Sequence, residues 1–178
     1  MTEDQNNRLL VDVTLEEVRW VAFDLDGNSA PGSDGFSGTF FTHCWDIIAE
    51  DILQATKDFM AGTPLPKSIS STLMVLILKK PNPFSFADFR PIALCNFINK
   101  VFTKVLANRL RVFLPALISP EQSDFVPGRD IAENILLAQE LVGSLNRKGR
   151  GNNCILKHDM MKAFDRVSWL FLEQLLSK

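Results

Sequence analysis

A short segment, Thr72–Leu78, contains the longest apolar run in this chain and lies between two pairs of prolines. Pro64 and Pro66 precede it, and Pro81 and Pro83 follow it, so a regular element between them must be short. The run is far too short to cross a membrane. Its β-branched residues and flanking turn signals predict a buried strand. Since 46% of the 178 residues are apolar, the chain can build a packed core.

Apolar residues recur at helical spacing in most of the remaining chain. A capping box at Thr14–Glu17, in which the Thr14 and Glu17 side chains would bond each other's backbone N–H, predicts a helix to about Phe23. The spacing predicts further helices over about 40–60, 96–113, 131–145 and 168–176. Cys154–Asp159 has the pattern of a second short strand. These elements together predict an α+β fold.

The formal net charge of −2 hides a strong asymmetry along the chain. Residues 1–60 carry 3 basic and 12 acidic side chains, whereas residues 61–157 carry 13 basic and 6 acidic ones. Between Lys79 and Arg111 there are seven basic residues and a single acid, Asp88. Clustered positive charge of this kind is typical of a surface that binds a phosphate backbone. A solvated basic face balanced by the acidic N-terminus explains the composition equally well.

Carboxylates are the main candidates for catalysis, because the three cysteines lack metal-ligand spacing. The first pair is Asp24 and Asp26, followed by Gly27. This pattern resembles the nucleophile motif of haloacid-dehalogenase-type phosphatases, in which both carboxylates would help to hold Mg²⁺. No Asp-Asp pair occurs anywhere in the chain, and the capping box favours a helix rather than a strand up to Phe23. A polar turn is therefore the favoured interpretation.

The second candidate is Asp159, at the end of the strand predicted over Cys154–Asp159. A strand-end aspartate that faces a basic groove can bind a divalent cation against a triphosphate, and two such cations can activate a hydroxyl and stabilise a leaving pyrophosphate. One carboxylate cannot hold two metals, so further acids must come from elsewhere. Taken alone, this stretch is equally compatible with acids that cap helices.

Five ordered motifs then identify a family over roughly residues 14–178. They are the loop Ser29–Phe36, the stretch Leu65–Asn96, the basic helix Lys100–Leu110, the stretch Gln122–Ala138, and Asp159 with Lys162–Val167. In this order they resemble the reverse transcriptases of LINE-type (non-LTR) retrotransposons, those of plants in particular. The resemblance implies a mostly helical fingers subdomain with short strands and the start of a right-hand-polymerase palm. It also implies Mg²⁺ as cofactor, with an RNA template, a DNA primer and deoxynucleoside triphosphates as partners, and no membrane association.

The resemblance implies roles for individual residues by position. Asp159 would be the first catalytic metal ligand, helped by the backbone carbonyl of Met160. Phe164 would lie under the sugar of the incoming nucleotide, as a steric gate against a 2′-hydroxyl. Lys79 would lie near the triphosphate, and Arg90 would contact the template or the nucleotide phosphates.

Three further residues, Gln122, Gly128 and Arg129, would lie along the template path, with Gly128 allowing close approach of the backbone. The basic helix is less informative. For Lys100, Lys104 and Arg109, a solvated helix face is at least as good an interpretation as a binding surface.

The chain stops at Lys178, before the family's second palm motif, which supplies two more metal ligands. We therefore expect a polar tail over 1–13 and a truncated reverse transcriptase domain over 14–178. Nucleotidyl transfer would belong to the complete enzyme, and these residues alone should not incorporate nucleotides in a primer-extension assay. A non-catalytic relic that retains only salt-dependent affinity for nucleic acid is the alternative. The phosphatase alternative predicts phosphate-ester hydrolysis that is lost on Asp24→Asn.

Overall fold

The computed structural model describes residues 2–144, 154–158 and 166–177. The chain divides into two compact units, one of residues 7–112 and one of residues 1–6 with 113–178. Helix α1 (Glu3–Leu9) was not predicted from the sequence. In the described part of the chain, no helix is long and apolar enough to span a bilayer.

The observed elements confirm the predicted α+β class. Residues 7–112 contain α2 (Leu15–Asp24), α3 (Gly38–His43), α4 (Trp45–Met60), α5 (Lys67–Ser70), β1 (Thr72–Leu78), β2 (Phe89–Cys95) and α6 (Phe97–Arg111). The other unit contains α7 (Leu114–Leu117), α8 (Ile131–Ser144) and α9 (Trp169–Leu176). The single helix predicted over about 40–60 is divided into α3 and α4 at Cys44.

The core of residues 7–112 lies between α2, α4 and α6. Helix α6 contributes the apolar face that its spacing predicts, and Phe97, Val101 and Val105 on that face are fully or almost fully buried. Val21 of α2 and Ile52 of α4 belong to the same cluster. Apolar side chains at i, i+4 and i+8 lie on one side of a helix, so the 3.6-residue period alone determines which side of α6 is buried.

The predicted capping box of α2 forms only in part. The Thr14 hydroxyl accepts a hydrogen bond from the Glu17 amide at 3.2 Å, as predicted. The Glu17 carboxylate does not return to the backbone of Thr14, because Arg109 binds both of its oxygens. A charged donor forms a stronger hydrogen bond than a neutral backbone amide and therefore takes the carboxylate.

Strands β1 and β2 form an antiparallel two-stranded sheet, in which Thr72 pairs with Cys95 and Leu78 pairs with Phe89. The prediction that β1 is buried is wrong, because every one of its residues is exposed. A hairpin has two faces, and neither face of this one is covered by another described element in its unit. Strand β2 was not predicted, and it accommodates Pro91 because each strand of a two-stranded sheet is an edge strand.

The unit that contains α8 and α9 confirms two predicted helices. Helix α9 begins after Ser168, whose hydroxyl accepts a hydrogen bond from the Phe171 amide at 3.3 Å. The predicted strand over Cys154–Asp159 is wrong for residues 154–158, which form no strand, and Asp159 lies outside the described residues. A strand needs a hydrogen-bonded partner, and none of the described segments pairs with 154–158.

Candidate nucleotide and nucleic-acid interface

The structure places Lys79 and Arg90 on the same face of the β1–β2 hairpin. Arg90 pairs directly with Ile77, and Lys79 lies two residues beyond Ile77. Because side chains alternate along a strand and opposed residues share a face, the two cations are diagonal neighbours on one surface. The pairing extends past β1, since the Lys79 amide donates to the Asp88 carbonyl at 2.8 Å. Both side chains are exposed.

Asp88 organises the tip of this hairpin. Its carboxylate accepts hydrogen bonds from the amides of Phe84 at 2.8 Å and Ser85 at 3.0 Å, and it forms an ion pair with Lys80 at 2.9 Å. The hydrogen bond from Lys80 and the two amides lower the pKa of Asp88 below its usual value. Ser85 and Asp88 form a capping box around the short 3₁₀ helix Phe86–Asp88. The tip therefore has a defined backbone.

Lys79 takes part in the same arrangement. Its Nζ donates to the Ala87 carbonyl at 2.8 Å, which holds the ammonium beside the base of the tip. A carbonyl does not neutralise an ammonium, so the positive charge remains available to an anion. For the Arg90 guanidinium, the described residues supply neither a hydrogen bond nor an ion pair.

The basic side of α6 is largely occupied by contacts within the protein. Lys100 donates to the Ser29 hydroxyl at 3.3 Å and the Ala30 carbonyl at 3.2 Å, and Lys104 lies 3.4 Å from the carboxylate of Asp24. These contacts tie α6 to the end of α2 and to the loop that follows it. The interpretation of these lysines as a purely solvated face is wrong, because each has a partner that the local sequence does not reveal.

Arg109 is the most highly engaged of the α6 cations. It donates to Glu17 at 2.8 and 2.6 Å and to the backbone carbonyls of Leu9, Val11 and Asp12 at 3.0, 2.6 and 3.4 Å. Hydrogen bonding to Glu17 raises the pKa of Arg109 above its ordinary value. Its side chain is only 11% exposed. Arg109 therefore holds the segment before α2 against α6.

The connector between α7 and α8 is built around Arg129. The guanidinium donates to four backbone carbonyls, those of Pro115, Ile118, Ser119 and Gln122. Four N–H groups on the two terminal nitrogens satisfy four carbonyls, which leaves only the Nε–H without a recorded acceptor among the described residues. Arg129 thus gives the connector its shape.

Gly128 serves the turn that delivers Arg129. The Arg129 amide donates to the Val126 carbonyl at 3.3 Å, Pro127 occupies the second turn position, and Gly128 has a φ of +79°. This is a type II turn, whose third position requires a positive φ and so favours glycine. A Cβ at Gly128 would meet nothing within 4 Å. Gln122, the remaining template-path residue, is exposed, and its amide donates to the Asp124 carbonyl at 3.3 Å.

Asn96, to which no sequence pattern assigned a role, anchors the loop Ser29–Phe36. Its amide nitrogen donates to the Ser68 carbonyl at 2.7 Å, and its side-chain oxygen accepts from the Ser33 hydroxyl and the Asp34 amide, each at 3.3 Å. Asn96 is almost completely buried. Its position before α6 suggests an N-cap, but its side chain makes no capping bond. No spacing signal relates it to residues more than sixty positions earlier.

The phosphatase alternative is not supported by the structure. Asp24 is the last residue of a helix, not of a strand, and its carboxylate pairs with Lys104. Asp26 accepts a hydrogen bond from the Asn28 amide at 2.9 Å, which makes the following residues the polar turn that the sequence favoured.

The predicted catalytic residues Asp159, Met160 and Phe164 lie outside the described residues. Over residues 2–144, 154–158 and 166–177, no three His, Cys, Asp or Glu side chains are grouped so that they could hold a metal ion. The described residues therefore do not fit a metal by themselves. Two separate candidate surfaces remain, the β1–β2 hairpin in residues 7–112 and the α7–α8 connector in the other unit.

Known proteins share sequence similarity with this chain. Residues 77–178 match the family model for reverse transcriptase (RNA-dependent DNA polymerase). The chain is 31% identical over 172 residues to the transposon TX1 uncharacterized 149 kDa protein of Xenopus laevis. This alignment covers 97% of this chain and 13% of that protein. It is 29% identical over 139 residues to the retrovirus-related Pol polyprotein from type-1 retrotransposable element R2 of Nasonia vitripennis. This second alignment covers 78% of this chain and 13% of that protein.

The match covers more than half of the chain and includes the hairpin from Ile77 onward and the whole α7–α8 connector. The chain spans only 13% of the length of either relative. Both relatives are named as proteins of transposable elements, which confirms the resemblance to non-LTR retrotransposon enzymes that the motifs predicted. The chain therefore belongs to the reverse transcriptase (RNA-dependent DNA polymerase) family.

Proposed function

We propose that this chain supplies the nucleotide-binding fingers of an RNA-directed DNA polymerase, together with the first ligand of its catalytic metals. Its partners are an RNA template, a DNA primer and deoxynucleoside triphosphates. The observation that carries the proposal is the pair of exposed cations, Lys79 and Arg90, on one face of the β1–β2 hairpin, inside the segment that matches the family.

The chemistry of this pair suits a polyphosphate. An ammonium acts as a point charge, whereas a guanidinium can bind two phosphate oxygens at once. Lys79 is held beside the tip by the Ala87 carbonyl, and Arg90 has no recorded partner among the described residues, so its donors are available to a ligand. In this role Lys79 contacts the triphosphate, and Arg90 contacts nucleotide or template phosphates.

Metal binding in this proposal begins with Asp159 and the carbonyl of Met160. Carboxylate and carbonyl oxygens are ligands that Mg²⁺ accepts in proteins. When bound, the ion supplies charge stabilisation for phosphoryl transfer. Phe164 would exclude ribonucleotides, because its ring would fill the space that a 2′-hydroxyl requires.

Template binding is assigned to the connector. Gln122 presents an exposed amide, and Gly128 allows the turn at Pro127 to form. Arg129 acts here as a positioning residue, because its four hydrogen bonds to backbone carbonyls hold the connector rather than project into solvent. Its Nε–H is the donor left for a phosphate.

The hairpin is tested on the full 178-residue chain by binding of a labelled single-stranded oligonucleotide over a range of salt concentrations. Lys79→Gln and Arg90→Gln should weaken binding and reduce the slope of log affinity against log salt by about 1 each. Lys67→Gln and Arg111→Gln are matched controls, since both side chains are exposed and neither lies on the hairpin. Equal slopes for all four variants would remove the hairpin from the interface.

The catalytic assignment is tested in a protein that carries this segment together with the remaining metal ligands. Asp159→Asn should abolish primer extension with Mg²⁺ while template affinity changes little, because the substitution removes a metal ligand and no phosphate contact. Synthesis that persists in this variant would remove Asp159 from its role.

A further inference from the structure

Two phenylalanines at the tip of the β1–β2 hairpin have no packing role. Phe84 is 91% exposed and Phe86 is 86% exposed, the highest values among the phenylalanines of residues 7–112. Leaving a benzyl group in water forfeits the stabilisation that its burial would provide. Nothing in the packing of this unit requires an aromatic side chain at either position.

These rings stand on a constrained backbone rather than on a loose loop. The Phe84 amide is bound by Asp88, and Phe86 opens the short 3₁₀ helix that Ser85 and Asp88 cap. Lys80 completes the arrangement through its ion pair with Asp88. The tip therefore holds both backbone positions in place without burying either ring, which lowers the conformational entropy lost when a ligand binds.

Basic side chains lie beside the Phe84 ring and on the strands that lead to the tip. The Lys80 ammonium lies 5.7 Å from the centroid of the Phe84 ring, and Lys79 and Arg90 follow on the adjoining strands. Aromatic rings that project beside positive charges are the features that single-stranded nucleic acid requires, since bases stack on the rings and phosphates pair with the cations. This charge complementarity favours a polynucleotide over an apolar protein surface as the occupant.

We propose that Phe84 and Phe86 form a stacking platform for unpaired bases of single-stranded nucleic acid, with Lys79 and Arg90 binding the adjacent phosphates. The proposal rests on the proposed function of the hairpin and adds the aromatic tip to it. Unpaired bases are required because a paired and stacked base does not present a free face.

The test measures fluorescence of the full chain with two labelled probes, a single-stranded oligonucleotide that contains 2-aminopurine and a blunt duplex of the same length. Phe84→Leu and Phe86→Leu keep an apolar side chain but remove the ring, and neither disturbs the core because both positions are exposed. Each should weaken single-strand binding about fivefold or more and reduce the quenching of 2-aminopurine, with duplex binding unchanged. Trp20→Leu, at an exposed aromatic on α2, is the matched control and should change neither.

The stacking platform and the proposed function of the hairpin predict different results. If Lys79→Gln and Arg90→Gln weaken binding but the leucine variants do not, the platform is wrong and the interface stands. If none of the four weakens binding, both proposals fail. Equal losses on single strand and duplex would overturn stacking. Loss of binding to phosphatidylserine vesicles in the leucine variants, with oligonucleotide binding retained, would identify the tip as a membrane contact and also overturn the proposal.

Discussion

Replacing Arg109 with glutamine should be among the most destabilising single substitutions of a charged residue in this protein. The substitution removes two hydrogen bonds from a guanidinium to the Glu17 carboxylate, at 2.8 and 2.6 Å, and three more to backbone carbonyls. It leaves a carboxylate that is only 28% exposed without its counter-charge. The structure gives this carboxylate partial access to water, so the cost falls below that of a fully buried pair.

The magnitude follows from these contacts. Breaking a buried ion pair costs about 3–5 kcal/mol, and a hydrogen bond to a charged group contributes about 1.5–3 kcal/mol. Partial solvation of Glu17 and of the freed carbonyls reduces the expected loss in the free energy of unfolding to about 2–4 kcal/mol. The Arg109 charge is present at every accessible pH, so the loss should not depend on pH through Arg109.

The assay is urea unfolding followed by circular dichroism, with Arg111→Gln as the matched control. Arg111 lies two residues further along α6 and is exposed, so its substitution should change the free energy of unfolding by less than about 0.5 kcal/mol. A double-mutant cycle with Glu17→Gln should give a coupling energy of about 1 kcal/mol or more. If Arg109→Gln is no worse than the control, Arg109 does not stabilise the segment before α2.

Three other predictions concern single sites. Gly32→Ala should destabilise the protein by about 2 kcal/mol or more, because a Cβ there would lie 2.7 Å from the Asn96 Cα. Gly143→Ala in α8 should instead stabilise it by about 0.5–1 kcal/mol, because no atom lies within 4 Å of the new Cβ and alanine favours a helix. Thermal unfolding measures both effects. Arg129→Lys should accelerate amide exchange throughout the α7–α8 connector, because three ammonium protons cannot satisfy four carbonyls, and unchanged protection would exclude the positioning role. The pKa of Asp88 is lowered by folding, so its contribution to the tip is complete above the unfolded pKa and is lost as pH falls through the lower folded value. In an NMR titration the Phe84 amide should therefore shift with a midpoint below the ordinary pKa of an aspartate, and a midpoint at or above that ordinary value would contradict the capping role.

The local features of the fold could be predicted because they depend on neighbours in the sequence. Helices α2, α6, α8 and α9 follow from apolar spacing and from hydroxyl caps such as Thr14 and Ser168. The prediction that β1 is buried was wrong, because burial depends on residues that are distant in the sequence. An apolar run shows that a strand can be buried, but only the surrounding elements decide whether anything covers it.

For the candidate binding residues too, the sequence predicted the general region but not the contacts. Lys79 and Arg90 lie in one basic region of the sequence, but the face that they share depends on the register of β1 with β2. Because β2 was not predicted, this register could not be predicted either. Arg129 looked like a template contact by position. In the structure its terminal N–H groups donate to backbone carbonyls instead. These carbonyls need a donor only because the folded connector brings them together away from other partners.

Motif order and periodicity are properties of the chain alone, and they were sufficient to predict the family, the α+β class and the buried side of α6. The tertiary structure decided which charges are free and which are occupied. Arg109 and Glu17 are 92 residues apart in sequence and share a bidentate ion pair, whereas Arg90, in the same basic region, remains exposed on the hairpin. The physical reason is that a charge acts on whatever folding brings within a few ångströms, and residue spacing does not specify those neighbours.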